Sequence, residues 1–176
     1  YLNPEGDPAL GRLRLARFDP QVRRVSDRRW TGKHEATTQF ADGFAVLVTS
    51  EASLDGLNTR LTQAGHAPVD QRRFRPNIVL AGGDAPDDDR VGALAVDTDA
   101  GGATLEAVKP CGRCPIPNID PDTALASPAV GDTLQTYRVD PQQKGAITFG
   151  MNAVVRAGAG EVLRVGQGVQ GDWRFD

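Results

Sequence analysis

At 176 residues with a formal charge of −3 built from mixed signs, the chain fits one domain and lacks the broad basic surface that would hold a nucleic-acid backbone. Hydrophobic residues make up 39% and charged residues 24%, with no apolar run near the roughly 18 residues a membrane helix needs, so a membrane span and bulk disorder are also disfavoured. The 20 Gly and 12 Pro are spread along the chain, which suits short strands and turns better than a helical bundle.

Tyr1 opens the chain without a charged-then-apolar leader, and Cys111 and Cys114 are too few and too close to staple a secreted fold. A reducing cytoplasm is the expected setting. In residues 11–25, Leu13, Leu15 and Phe18 alternate with Arg12, Arg14, Arg17, Arg23 and Arg24, which predicts a strand leading into a polar connection. Residues 44–48, Phe-Ala-Val-Leu-Val, read as a second strand, and Thr49 and Ser50 follow with hydroxyls able to cap a helix. Leu54, Leu57 and Leu61 recur at helical spacing over residues 51–63, and Gly65 stands where a helix ends in a left-handed residue. Gly56 weakens that helix by about 1 kcal/mol relative to Ala, so packing must hold it.

Residues 77–80, Asn-Ile-Val-Leu, read as a buried strand entered through Pro76, which biases Arg75 toward extended geometry. Residues 84–90 carry Asp84, Asp87, Asp88 and Asp89 without the Gly and Glu positions of a calcium loop, and read as a solvated loop. Residues 93–97 and 104–109 form a hairpin around Gly101 and Gly102. A helical turn is expected over 133–138, and a last strand pair over 152–156 and 161–165. The sum is a mainly β, α+β domain with one or two helices.

Chemistry concentrates at Lys109-Pro110-Cys111-Gly112-Arg113-Cys114-Pro115. A thiolate is the form that binds metal or attacks electrophiles, and cations such as Arg113 and Lys109 favour it. Zinc needs two further ligands, and His34 and His66 do not form a local pair, so both read as surface residues. A thioredoxin-type dithiol wants a helix after its cysteines, which Pro115 and Pro117 oppose. Two packed, inert thiols remain the plain alternative, above all for Cys111.

The segments Phe74-Arg75-Pro76-Asn77-Ile78-Val79, Lys109-Pro110-Cys111-Gly112-Arg113-Cys114, Ile119-Asp120-Pro121-Asp122-Thr123 and Phe149-Gly150, in this order and spacing, resemble the MOSC domain. The likeness runs from about Phe40 to Val169, and its nearest branch is the bacterial relatives of the amidoxime-reducing component. It departs from that pattern in the acidic stretch, where relatives carry a Trp, and after Cys114, where Pro115-Ile116-Pro117-Asn118 replaces hydroxyl residues. The resemblance implies a β-barrel of MOSC type over residues 40–176. It leaves residues 1–39 as a strand and connection trailing from an N-terminal module.

It also implies a molybdopterin cofactor whose metal is bound by Cys114, the catalytic position, with Arg75, Asn77, Gly112, Arg113 and Asp42 near the cofactor. Soft thiolate sulfur suits molybdenum, and Arg forks and backbone N–H groups suit the pterin's phosphate. Asn77 offers donors and acceptors to a pterin edge or, equally, caps a strand, while turn formation is the plain role of Asp42 and of Asp120. The implied activity is a molybdenum-dependent oxidoreductase acting on N-hydroxylated or N-oxide small molecules. It would draw electrons from a ferredoxin-like or flavin-containing donor protein, with neither nucleic acid nor membrane as partner. A sulfur carrier holding a Cys114 persulfide needs the same thiolate. A non-catalytic module for the cofactor or for pyridoxal phosphate is the third alternative, although no Lys identifies itself as a Schiff-base residue.

Overall fold

A computed structural model describes residues 15–83 and 87–174 of the chain. Seven strands form one mostly antiparallel sheet in the order β2-β1-β6-β4-β3-β7, with short β5 hydrogen-bonded to β6. The strands are β1 (Val46–Ser50), β2 (Ile78–Leu80), β3 (Val91–Val96), β4 (Ala103–Gly112), β5 (Val139–Asp140), β6 (Ala146–Ala157) and β7 (Val169–Trp173). Among the described residues four α-helices accompany them: α1 (Arg28–Thr31), α2 (Glu51–Gln63), α3 (Asp87–Arg90) and α4 (Ala129–Gln135). The sheet curls as a half-barrel, so the mainly β expectation of MOSC type holds, with α2 and α4 as the two helices of any length.

The centre of the fold is the pairing of β6 with β1 on one side and β4 on the other. Val48, Ala107, Met151 and Ala153 point from these strands into one core with Val91, Leu94 and Leu105. A second cluster joins Leu57 and Leu61 of α2, Val130 and Leu134 of α4, and the rings of Phe74 and Phe149. On the opposite face of the sheet, Val108 and Val154 are covered by Ala36, Trp30 and Phe44. The segment that carries those covering residues is pinned by the guanidinium of Arg24, which donates to the carbonyls of Gln39, Ala41 and Asp42.

The β1–α2–β2 unit keeps the expected order and the expected helix over residues 51–63, while β1 lies two residues later than the expected 44–48. Ser50 Oγ accepts the Ser53 amide at 3.0 Å as the N-cap, and the helix is left through Gly65 at φ +81°. Asn58 then clamps the returning chain by pairing with both the amide and carbonyl of Val69 at 2.8 and 2.9 Å. Strand β2 runs parallel to β1, but it is half-buried with Val79 40% exposed, because it is the edge of the sheet.

Four expectations are corrected. No strand forms over residues 15–25, where a single isolated bridge from Val25 to Thr37 is the one β contact, and residues 11–14 lie outside the described part. Residues 161–165 form no strand; β7 is the last strand and pairs with β3 instead of β6. The acidic stretch closes into one turn of helix, α3, and Asp89 forms a two-pronged ion pair with Arg138. Arg138 is only 8% exposed, and a guanidinium that deep needs a carboxylate to offset its desolvation. Residues 84–86 are not described. The helical turn expected over 133–138 instead begins at Ala129, where Pro128 precedes it.

A loop after β4 is docked on the turn before β2 by charge. Arg72 pairs with Asp122 at 2.6 Å and Arg73 with Asp120 at 2.8 Å. Asp120 Oδ1 also accepts the amides of Thr123 and Asp122, the side-chain turn its type predicts. Those two N–H donors, with Arg73 behind them, hold the Asp120 carboxyl below its ordinary value, and the Arg72 guanidinium does the same for Asp122.

Two predictions follow from this architecture. A Cβ on Gly150, at φ +74°, would lie 2.6 Å from the Val48 carbonyl oxygen and 2.8 Å from Thr49 Cγ2. Gly150→Ala should therefore cost about 3 kcal/mol in urea unfolding, while Gly168→Ala, with open space around it, stays within about 0.5 kcal/mol. Because the folded-state values of Asp120 and Asp122 are depressed, their docking is complete above the ordinary carboxylate value of 3.8 and is lost as pH falls below it. Carbon-13 titration of the carboxyls should place both midpoints below 3.8, and Arg72→Met should return Asp122 toward that value.

Candidate functional site

Strand β4 carries the thiol segment out of the sheet. Gly112 is its last residue, opposite Thr148 of β6, and the next amide, Arg113 N–H, donates to the Ile147 carbonyl at 2.7 Å. The backbone is therefore anchored up to the residue before Cys114. Beyond it Pro115 adopts φ −66° and opens a single 3-10 turn, Ile116–Asn118, that no helix continues. Cys114 is exposed on this stiff corner, whereas Cys111, still within β4, is half-buried. Both are free thiols.

The Arg113 guanidinium turns back toward the protein. Its Nη1 donates to Cys111 Sγ at 3.2 Å and its Nη2 to the Phe74 carbonyl at 2.9 Å, with the group 5.5 Å from the centre of the Phe74 ring. One hydrogen on each terminal nitrogen remains, and buried Nε has no partner among the described residues. Arg113 is thus a tie between the thiol segment and the chain before β2.

That chain carries Arg75 immediately after Phe74. Arg75 has φ +58° rather than the extended geometry Pro76 favours, a correction of the sequence expectation. Its amide donates to Gln71 at 3.2 Å, closing a turn after the short helix Gln71–Arg73, and the chain must then reverse to lie beside β1. A left-handed non-glycine residue costs on the order of 1–3 kcal/mol, which the Phe74 packing and the Arg73 ion pair must offset. The exposed guanidinium has no hydrogen bond or ion pair among the described residues.

Asn77 takes the strand-capping role. Its amide donates to the Leu47 carbonyl at 2.9 Å and its Oδ1 accepts the Leu47 amide at 2.8 Å. This leaves Nδ2 without a partner among the described residues. Asp42 is exposed on the segment pinned by Arg24, and only its backbone carbonyl takes part in that contact. Gly112 meets nothing closer than Ala146 Cβ at 3.8 Å at the position of a Cβ, so no steric demand requires glycine there.

Contacts therefore join Cys111, Arg113 and the Phe74–Arg75 corner into one cluster next to Cys114, and tie Asn77 to β1, while Asp42 makes no hydrogen bond to any of them. His34 and His66 are exposed, and the described residues include no cluster of three His, Cys, Asp or Glu side chains able to hold a metal ion. No helix among the described residues is long and apolar enough to cross a membrane. Sequence reading treated Lys109 only as a nearby charge and passed over Asn152 and Gln143. Yet Asn152 lies opposite Lys109 across β4 and β6, and Gln143 Nε2 holds the Pro110 carbonyl at 3.1 Å. The visible signal was an Asn inside an apolar strand.

A soft thiol at the surface, together with the Arg75 guanidinium, the buried Arg113 Nε–H and the Asn77 Nδ2, none of which has a partner among the described residues, forms a donor set that fits a sulfur-liganded metal with an anionic organic tail. The family model for the MOSC domain matches residues 35–170. The chain is 33% identical over 135 residues to mitochondrial amidoxime-reducing component 1 of Mus musculus, covering 74% of this chain and 37% of that protein. The Homo sapiens counterpart is 34% identical over the same length, covering 74% and 38%. A molybdenum cofactor sulfurase of Oryza sativa subsp. japonica is 31% identical over 150 residues, covering 77% and 17%. The chain thus spans under two-fifths of the length of these relatives. With a family model covering most of its length and relatives above 30% identity, the chain belongs to the MOSC domain family.

Proposed function

We propose that this MOSC domain holds the molybdenum cofactor with Cys114 as the protein's ligand to the metal, and that it reduces N-hydroxylated or N-oxide small molecules. The observation that carries this reading is the exposed Cys114 sulfur, on a segment whose other thiol is already tied to Arg113. The names of the relatives support it, since two are amidoxime-reducing components and a third is a molybdenum cofactor sulfurase.

The chain's own residues divide the work. Cys114 supplies the soft sulfur, on a corner stiffened by Pro115 and by the Arg113 amide. Arg75 presents its charge to the anionic part of the cofactor, and Asn77 offers its Nδ2 hydrogens to the pterin while its oxygen stays on Leu47. Arg113 fixes the segment and can lend its remaining N–H groups; Gly112 and Asp42 would border the same ligand. When bound, the cofactor supplies two-electron redox chemistry at the metal. Overall an N–OH group, two electrons and two protons become N–H and water, with the electrons delivered by an external donor protein.

A second reading, supported by the likeness to the sulfurase, gives Cys114 a persulfide whose outer sulfur passes to an acceptor. Metal analysis of the chain purified from cofactor-producing cells separates the two. Near-stoichiometric molybdenum, reduced at least tenfold in Cys114→Ala and accompanied by amidoxime reduction with a supplied reductant, is the expected result. Cyanide-labile sulfur without molybdenum would move the assignment to the carrier, and molybdenum unchanged in Cys114→Ala would remove Cys114 as the ligand.

A further inference from the structure

Helix α2 carries Gly56 and Arg60 one turn apart, so they share a face of the helix. Tyr137 and Arg138 after α4, Phe149 of β6 and Asp89 of α3 stand across from that face, and together they line a cavity of about 230 Å³. Neither Cys114 nor Arg75, Asn77 or Arg113 lines it, so it is separate from the site described above. Gly56 adds no side chain to fill the space.

The cavity runs from a wet mouth to a dry end, since Arg60 and Tyr137 are exposed whereas Phe149 and Arg138 are buried. At the mouth the Arg60 guanidinium lies 4.0 Å from the centre of the Tyr137 ring, and its Nη1 donates to the Gly56 carbonyl at 2.7 Å. Its Nε and Nη2 have no partner among the described residues. At the inner end Arg138 donates from Nε to the Thr148 carbonyl at 3.1 Å and gives one hydrogen of each terminal nitrogen to Asp89. The second hydrogen on each of those nitrogens has no partner among the described residues, although the group is almost sealed from water. Two guanidinium groups thus face one carboxylate, and that carboxylate is committed to Arg138. The surplus positive charge belongs to Arg60.

We propose that this cavity binds a single-ring aromatic acid, with its carboxylate on the Arg60 fork, its ring between Tyr137 and Phe149, and an oxygen substituent opposite the carboxylate that accepts from Arg138. The space suits one ring, because an apolar cavity of about 150 Å³ holds benzene and this one leaves room for a small polar group at each end. Arg60 is already ordered against Tyr137, so a carboxylate that pairs with its free N–H groups meets a fork held in place. An oxygen at the inner end satisfies buried N–H groups that water reaches poorly, which a bare ring would leave unpaired.

The probe is 4-hydroxybenzoate, titrated into the full 176-residue chain at constant ionic strength and followed by the backbone amide resonances of α2 and the Arg60 Nε–H resonance. Both should shift saturably. With far-UV circular dichroism unchanged, Arg60→Met should weaken binding at least tenfold and Tyr137→Leu at least threefold. Arg164→Met, which removes an exposed guanidinium elsewhere, should leave it within twofold. Benzoate, which lacks the inner oxygen, should bind at least threefold more weakly, and acetate should give no saturable shift. No saturable shift with 4-hydroxybenzoate, unaltered affinity in Arg60→Met, equal affinity for benzoate, or saturation by acetate overturns the proposal. Should Arg60→Met lose its fold, Tyr137→Leu and the ligand series decide the matter by the same criteria.

Discussion

The thiol segment is positioned by one residue that lies outside it, Phe74. Its ring stacks on Phe149 at 4.0 Å in the cluster shared with α2 and α4, and its carbonyl receives the Arg113 guanidinium that also holds Cys111. Burying a phenylalanine contributes about 2–3 kcal/mol, against about 1.5–3 kcal/mol for a hydrogen bond to a charged group. The two contributions are comparable, but they are not independent. The carbonyl stays in place for Arg113 only while the ring is packed, so the geometry around Cys114 is set by the core rather than by its own loop.

The same dependence explains why four short motifs far apart in the sequence belong together. Phe149 can reach Phe74 because Gly150, at φ +74°, lets β6 approach the β1 backbone more closely than any side chain would permit. The turn before β2 then receives the loop after β4 through Arg73 and Asp120, and the β4 end through Arg113. Arg75 inherits its left-handed geometry from this crowding. Each motif supplies one side of a contact whose other side lies in another motif.

Much of the fold could be read from local pattern, and the failures have a common cause. The strand at Val46–Ser50, the helix capped by Ser50 and the hairpin of β3 and β4 all carry their signal within a dozen residues. Strand β7, Val-Gln-Gly-Asp-Trp, is a polar edge with no buried face, so hydrophobic patterning pointed instead to residues 161–165, whose Val162, Leu163 and Val165 are exposed. For the site, the exposure of Cys114 and the capping role of Asn77 lay within reach of the sequence. The partner of Arg113 lies 39 residues away and that of Arg138 lies 49 away, distances over which no local rule operates. The pairing of Lys109 with Asn152 was hidden for a further reason: it depends on a bulge between Ala107 and Lys109 that shifts the register by a residue.

Rigidity bears on the choice between holding a metal and passing on a sulfur. A sulfur carrier has to deliver its terminal atom into another site, which favours a thiol on a segment free to move. Here the residue before Cys114 is bound to β6 through its amide, to Phe74 through its side chain, and to Cys111 through a third contact. The residues after it are confined by Pro115 and Pro117, and the loop beyond is fastened by the Arg72 and Arg73 ion pairs. A metal ligand gains from such constraint, because a sulfur already in position loses little entropy on coordination and keeps the metal's remaining sites oriented. A stiff corner with an exposed sulfur is better matched to retaining a bound centre than to handing an atom away.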